Sequence, residues 1–256
     1  MSKRIIFSIW SDLNDDHPSA TKEKVSSFNL FKDKLIQKQK DYAHICSSDY
    51  EIFTPDKDNY VDVQFYKLLQ TEKLLADYDE AIYLDLDIIP KTNKIIFDEF
   101  DLNKVSVYQL PVGISKWLKV NLKDDNFSSM DKYCKLCCKN SMLLLDDLYG
   151  SDKISNTGVF CLNKKSAETL RFTERLPQVE NVFQEALEDN LYPKEMSSSW
   201  VRNNEVFLSY ILEKYSVPNN DIGQTWNYIL DEFIKEPTDA CHFIHQVNKE
   251  FDNAME

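Results

Sequence analysis

At 256 residues, with 43% hydrophobic and 12% aromatic side chains, the chain can bury a sizeable core; only four glycines and eight prolines argue against low complexity or a flexible linker. A formal net charge of -13 argues against nucleic acid or an anionic membrane surface as partner, since both select basic patches. There is no internal repeat and no glycine-rich phosphate loop of the G-x-G-x-x-G or G-x-x-x-x-G-K kind, and the simplest expectation is one larger α/β domain.

The first apolar run, Ile5-Ile6-Phe7-Ser8-Ile9-Trp10, is too short for a signal-peptide core or a membrane span and reads as a buried strand. The six cysteines then fit free thiols in a reducing cytosol, so a soluble cytoplasmic protein without an integral membrane segment is expected. Residues 22–40 place Val25, Phe28, Leu30, Phe31, Leu35 and Ile36 at helical spacing among lysines. Glu51 to Thr54 is a short strand candidate before Pro55, and residues 62–76 repeat the helical pattern through Val63, Tyr66, Leu68, Leu69, Leu74 and Leu75. Strand, helix, strand, helix, strand predicts a parallel sheet covered by helices, with ligands gathering at the carboxyl ends of the strands, where Asp12 and Asp85 emerge.

Ala81 to Pro90 is an apolar run interrupted by two acids, Asp85 and Asp87, on either side of Leu86. Two carboxylates that close repel each other and lose hydration at the end of a buried strand, so a divalent cation that neutralises both is one explanation. A solvated strand-end turn is the other.

Val105 to Leu110 is a further strand candidate, and 113–150 is a polar, cysteine-bearing stretch expected to be partly helical. In Ser155 to Asn163 a small-residue turn is expected to run into a strand; Gly158 allows close approach of a ligand, and Asn156 offers the donors and acceptors that sugar hydroxyls require. Residues 203–214 read as a helix whose first residues, Asn203, Asn204 and Glu205, suit capping and the helix dipole as well as a site. Cys134, Cys137 and Cys138, with Cys161 and Cys241 as remote candidates, match zinc-ligand spacing only weakly. Near the end, His242 and His245 lie close to Lys249, a chemistry suited to a borderline metal and a diphosphate, although histidines at i and i+3 on a surface helix are commonly structural.

Taken in order, Tyr83-Leu84-Asp85-Leu86-Asp87, Asn156-Thr157-Gly158-Val159, Asn203-Asn204-Glu205, Trp226-Asn227 and His242-Phe243-Ile244-His245 with the downstream lysine resemble the GT-A glycosyltransferases, most closely the glycogenin and lipooligosaccharide galactosyltransferase family. The resemblance implies a single Rossmann-like GT-A domain with a mostly parallel central sheet, its nucleotide-binding half at 1–110 and its acceptor-side half with a C-terminal closing segment at 111–256. It implies Mn²⁺ (or Mg²⁺) held by Asp85, Asp87 and His242, with His245 the competing histidine, and Lys249 on the phosphate. Lys67, or alternatively Lys73, takes the place of the basic residue that touches the donor. Ile9, Trp10, Ser11 and Asp12 would line the base and ribose pocket, with Leu86 beside them. Asn156 and Gly158 would contact donor sugar or acceptor, and Asn204 and Glu205 would lie near the reacting carbon, although the family's first carboxylate there is replaced by Asn203. The implied activity is transfer of a hexose from a nucleotide diphosphate sugar, UDP favoured, to a glycan or other hydroxyl acceptor with retention. An inverting enzyme with Asp146, Asp147 or Asp152 as base, a sugar-phosphate nucleotidyltransferase, and a non-catalytic nucleotide-sugar or glycan-binding protein are the alternatives.

Overall fold

The apolar runs at the start of the chain become parallel strands. In the computed structural model, which describes residues 2–11, 22–55, 60–112, 127–188, 203–230, 236–247 and 251, β1 (Arg4–Ile9) pairs in parallel with β2 (Asp49–Phe53) and β3 (Glu80–Leu84). The crossovers carry α1 (Lys22–Ile45) and α2 (Tyr60–Leu74), as the helical spacings predict. After β4 (Ile88–Pro90) and the short α3 (Ile96–Glu99), β5 (Val105–Pro111), α4 (Phe127–Leu145), β6 (Lys153–Asn163), α5 (Lys164–Leu170), α6 (Phe172–Glu188), α7 (Asn204–Lys214) and β7 (Asn219–Asp221) follow. The main sheet has the order β2-β1-β3-β6-β5-β7, and within it β6 alone runs against its neighbours. The expected α/β class with a mostly parallel central sheet is therefore the one observed.

Both faces of this sheet are covered, which is why its strands read as continuous apolar runs. Ile5 and Phe7 point into a core shared with Phe65, Leu68, Phe172 and Phe207, whereas Ile6 points the other way, toward Tyr42, Trp226 and Phe243. The second face is closed partly by a small sheet of order β4-β9-β8, in which β8 is Tyr228–Leu230 and β9 is Phe243–Gln246.

Two expected elements are rearranged around the acids. The run from Ala81 to Pro90 is not one strand: β3 stops at Leu84, the chain turns with the Ile88 N–H donating to the Asp85 carbonyl (2.9 Å), and β4 joins the small sheet. A straight strand would point Asp85 and Asp87 the same way while the next apolar pair stayed in the main sheet; the turn keeps Ile88 in the core of Ile82 and Leu84 and sends Ile89 into the cluster of Trp10, Phe28 and Phe31. Ser155 to Gly158 is likewise no turn but the interior of the 11-residue β6. Against β5 its register jumps, Val107 facing Phe160 and Tyr108 facing Asn156, so Thr157, Gly158 and Val159 form a bulge that re-aims Asn156.

Candidate active site

The turn after β3 is held from behind by a buried amide. Gln39 of α1 is fully buried, and its Nε2 donates to the carbonyls of Asp85 and Ile88, both at 2.9 Å. Its Oε1 accepts from Tyr50 OH (2.9 Å) and lies 2.5 Å from Ser8 Oγ. A second brace comes from β9: the Gln246 N–H donates to the Asp87 carbonyl at 3.0 Å, and His245 sits opposite Ile88 in the β4–β9 pairing.

That register brings His245 to the two acids. One ligand atom each of Asp85, Asp87 and His245 lie within 4.8 Å of one another, the one group of three metal-competent side chains among the described residues. His245 Nε2 is 3.8 Å from Asp85 Oδ2 and 3.5 Å from Asp87 Oδ1. Ligands about 2.1 Å from a common ion lie roughly 3 Å apart at right angles and about 4 Å apart when opposed, so this spacing admits a divalent cation. Two carboxylate oxygens with one imidazole form a donor set suited to Mn²⁺ or Mg²⁺, in contrast to the thiolates a soft metal prefers. The Asp87 side chain is 8% exposed and that of Asp85 28%, so the opening lies on the Asp85 side. There Asp85 Oδ1 accepts from Tyr83 OH (2.5 Å) and pairs with Lys67 Nζ (3.2 Å), which also donates to the Thr157 carbonyl (3.2 Å).

His242 is placed elsewhere. Residues 243–246 form a strand, so side chains three apart face opposite ways, where a helix would have put both histidines on one face. The His242 ring meets Trp226 edge-on (4.6 Å between centroids), and burial, aided by nearby Lys94 and opposed by Glu99, holds its pKa below the ordinary value. Among the described residues the cluster with Asp85 and Asp87 therefore contains His245, the competing histidine, and not His242.

Beside the cluster lies a shelf of amides. His245 Nδ1 is 3.1 Å from Asn227 Oδ1; Asn227 Nδ2 donates to Asn156 Oδ1 (2.7 Å), and Asn156 Nδ2 donates to Glu205 Oε1 (2.8 Å). Gly158 passes directly over the imidazole: a Cβ there would lie 2.6 Å from His245 Cε1, which explains glycine at this position. Glu205 accepts also from the Thr157 N–H (3.3 Å) and, through Oε2, from Lys135 Nζ (2.7 Å). Asn204 is buried and donates to Thr157 Oγ1 (3.0 Å). Asn203 is the N-cap of α7, its side chain accepting from the Glu205 N–H (2.9 Å), so the capping reading of that residue is correct and Asn204 and Glu205 are left to face β6.

The other expected residues divide. Lys67 stands at the cluster, whereas Lys73 is exposed in the last turn of α2. Leu86 and the ring of Trp10 are core, Trp10 stacked on Phe28 (5.4 Å) beneath Lys32 Nζ (3.6 Å from the ring centre); Ile9 and Ser11 are half-buried at the end of β1. Asp12 and Lys249 lie outside the described residues. Asp146 accepts from Tyr210 OH (2.5 Å) and Lys214 Nζ (2.7 Å), toward the far end of α7 from Glu205; Asp147 adopts a left-handed conformation (φ 57) just after α4, and Asp152 is exposed. The six cysteines are free, and burial pushes the thiols of Cys137, Cys161 and Cys241 up in pKa, away from the thiolate that zinc requires. Gln39, Lys135 and the role of Asn227 escape sequence reading; only the Trp226-Asn227 pair gave any signal, and it assigned no contact.

No protein-family model matches the chain, and no curated protein matches it. In fold it is similar to a glycosyltransferase involved in the glycosylation of the major capsid of PBCV-1, at 14% identity and a TM-score of 0.50, with 99% of this chain and 98% of that one covered. Mouse xyloside xylosyltransferase 1 in its apo form gives 11% identity and a TM-score of 0.47 over 96% of this chain and 97% of that one. The galactosyltransferase LgtC, solved in complex with donor and acceptor sugar analogs, gives 12% and 0.45 over 95% of this chain and 87% of that one. The fold is thus that of a solved glycosyltransferase across nearly its whole length.

Proposed function

We propose that this chain is a metal-dependent glycosyltransferase that moves a hexose from a nucleotide diphosphate sugar, UDP-linked, to a hydroxyl of a glycan or glycoconjugate, with retention. The observation that carries the reading is the convergence of Asp85, Asp87 and His245 at the carboxyl end of a central strand, where sheets of this kind bind ligands. When bound, Mn²⁺ or Mg²⁺ would supply Lewis-acid stabilisation to the leaving nucleoside diphosphate. Asp85, Asp87 and His245 would hold the cation, and Lys67 offsets part of the acidic charge on the open side of Asp85. The donor's base and ribose are assigned to the end of β1, at Ile9 to Asp12, and its sugar to the shelf of Asn156, Gly158 and Asn204. Both Glu205 oxygens are engaged by Lys135, Asn156 and Thr157, which favours a stabilising over a nucleophilic role and accords with same-face attack by the acceptor. Lys249 is assigned to the diphosphate.

The test is donor hydrolysis with UDP-, GDP- and CDP-hexoses in Mn²⁺, read by NMR for the anomer released. Chelator-sensitive hydrolysis of a UDP-hexose with the starting anomer first formed is expected. Absence of binding and hydrolysis for every donor, with Mn²⁺ bound, would leave a metal-binding protein of another kind.

A further inference from the structure

The amide shelf has a direction, and the direction is set at one end. Glu205 is a half-buried carboxylate whose Oε2 accepts from Lys135 Nζ at 2.7 Å and whose Oε1 accepts from the Thr157 N–H at 3.3 Å, so it faces Asn156 as an acceptor. Asn156 must therefore turn its NH₂ to Glu205 and its carbonyl oxygen away. An independent donor agrees, because the Gly158 backbone N–H points at Asn156 Oδ1 (3.1 Å). That oxygen then accepts a hydrogen bond from Asn227 Nδ2, which leaves Asn227 Oδ1 facing His245 Nδ1. Two acceptors cannot share that contact, so Nδ1 carries a proton and Nε2 is the nitrogen that faces Asp85 and Asp87.

We infer that Glu205, acting through Asn156 and Asn227, fixes the tautomer and ring orientation of His245, so that Nε2 is presented to the cation shared with Asp85 and Asp87. These three are positioning residues. Gly158 completes the device, since the space above the imidazole admits no side chain and the ring cannot move toward β6. The arrangement joins α4, α7, β6 and the small sheet, through Lys135, Glu205, Asn156 and His245 respectively. An outer partner of this kind commonly changes metal affinity about 10- to 100-fold.

The inference rests on the metal-dependent reading above, but its first test needs neither metal nor donor. Long-range ¹H–¹⁵N correlation of metal-free protein at about pH 8.5, where an ordinary imidazole is neutral, is expected to show His245 protonated at Nδ1. In Asn227→Leu the proton is expected to shift to Nε2, and Mn²⁺ affinity read by electron paramagnetic resonance to fall about 10- to 100-fold. Asn227→Asp keeps an acceptor for Nδ1 and is expected to restore the tautomer, which separates this role from simple loss of packing. Absence of a proton on His245 Nδ1 in the parent protein would overturn the inference, as would an Asn227→Leu protein that melts like the parent and binds Mn²⁺ within twofold of it. Absence of Mn²⁺ binding by the parent would overturn this role together with the metal reading. Absence of transferase activity alone would overturn only the latter's enzymatic claim.

Discussion

At the residue scale, the two acids hold different positions. Asp85 is anchored by Tyr83 and Lys67 on its open side, while Asp87 is nearly enclosed. Asp87→Asn removes a ligand and relieves repulsion, so Mn²⁺-dependent turnover is expected to fall at least 100-fold while the melting temperature stays level or rises; calorimetry beside the activity assay checks both. The two histidines give a sharper contrast. His245→Ala is expected to abolish tight Mn²⁺ binding, whereas His242→Ala, which removes a ring lying against Trp226, is expected to leave it within about threefold of the parent; the reverse outcome in a metal titration would restore the original assignment. The Asp-x-Asp pair was legible in the sequence because closely spaced acids after an apolar run need an explanation. The choice of histidine was not legible, because it depends on whether three residues are wound as a helix or extended as a strand.

At the element scale, the β3–turn–β4 unit depends on Gln39. Gln39→Ala leaves the carbonyls of Asp85 and Ile88 without their side-chain donor, and is expected to cost about 1–3 kcal/mol in chemical denaturation. The same residue links the site to an alkaline limit. Burial, opposed by the Ser8 hydroxyl, pushes the Tyr50 phenol up to about 12 from its ordinary 10.0. A raised acid pKa means that the folded state holds its proton more tightly. That contribution is complete below pH 10 and is lost as pH rises from about 10 to about 12, amounting to about 3 kcal/mol. The difference in stability between parent and Tyr50→Phe should therefore shrink across that window; a constant difference would refute the linkage. Nothing in the sequence marks Gln39, a polar residue among the lysines of an amphipathic helix, because its value arises only when α1 lies behind a turn more than forty residues away.

At the scale of the whole molecule, the carboxyl-terminal part is bound into the fold at two places. β9 is buried between β4 and β8, and Phe251 is fully buried beside Phe28 and Phe31 (ring centres 6.0 and 5.6 Å), in the cluster that contains Trp10. The C-terminal closing segment that the resemblance implies thus contains a core strand, β9. Phe251→Ala is expected to cost about 3–5 kcal/mol and to lower the melting temperature by about 10 °C; truncation after Cys241, which also removes β9, is expected to abolish cooperative unfolding in calorimetry.

The sequence by itself determined the α/β class, the order of the first five elements and the two acids at a strand end, since each is written in local periodicity or in the repulsion of neighbouring charges. It also determined that Gly158 and Asn156 stand together. Only the tertiary structure decided that β6 runs through that pair as a bulged strand, that His245 rather than His242 meets the acids, and that Glu205 reaches His245 through two amides. These are relations between residues 18 to 160 positions apart in the chain, and their geometry is fixed by strand register and by the donor and acceptor sense of buried amides, neither of which a linear pattern contains.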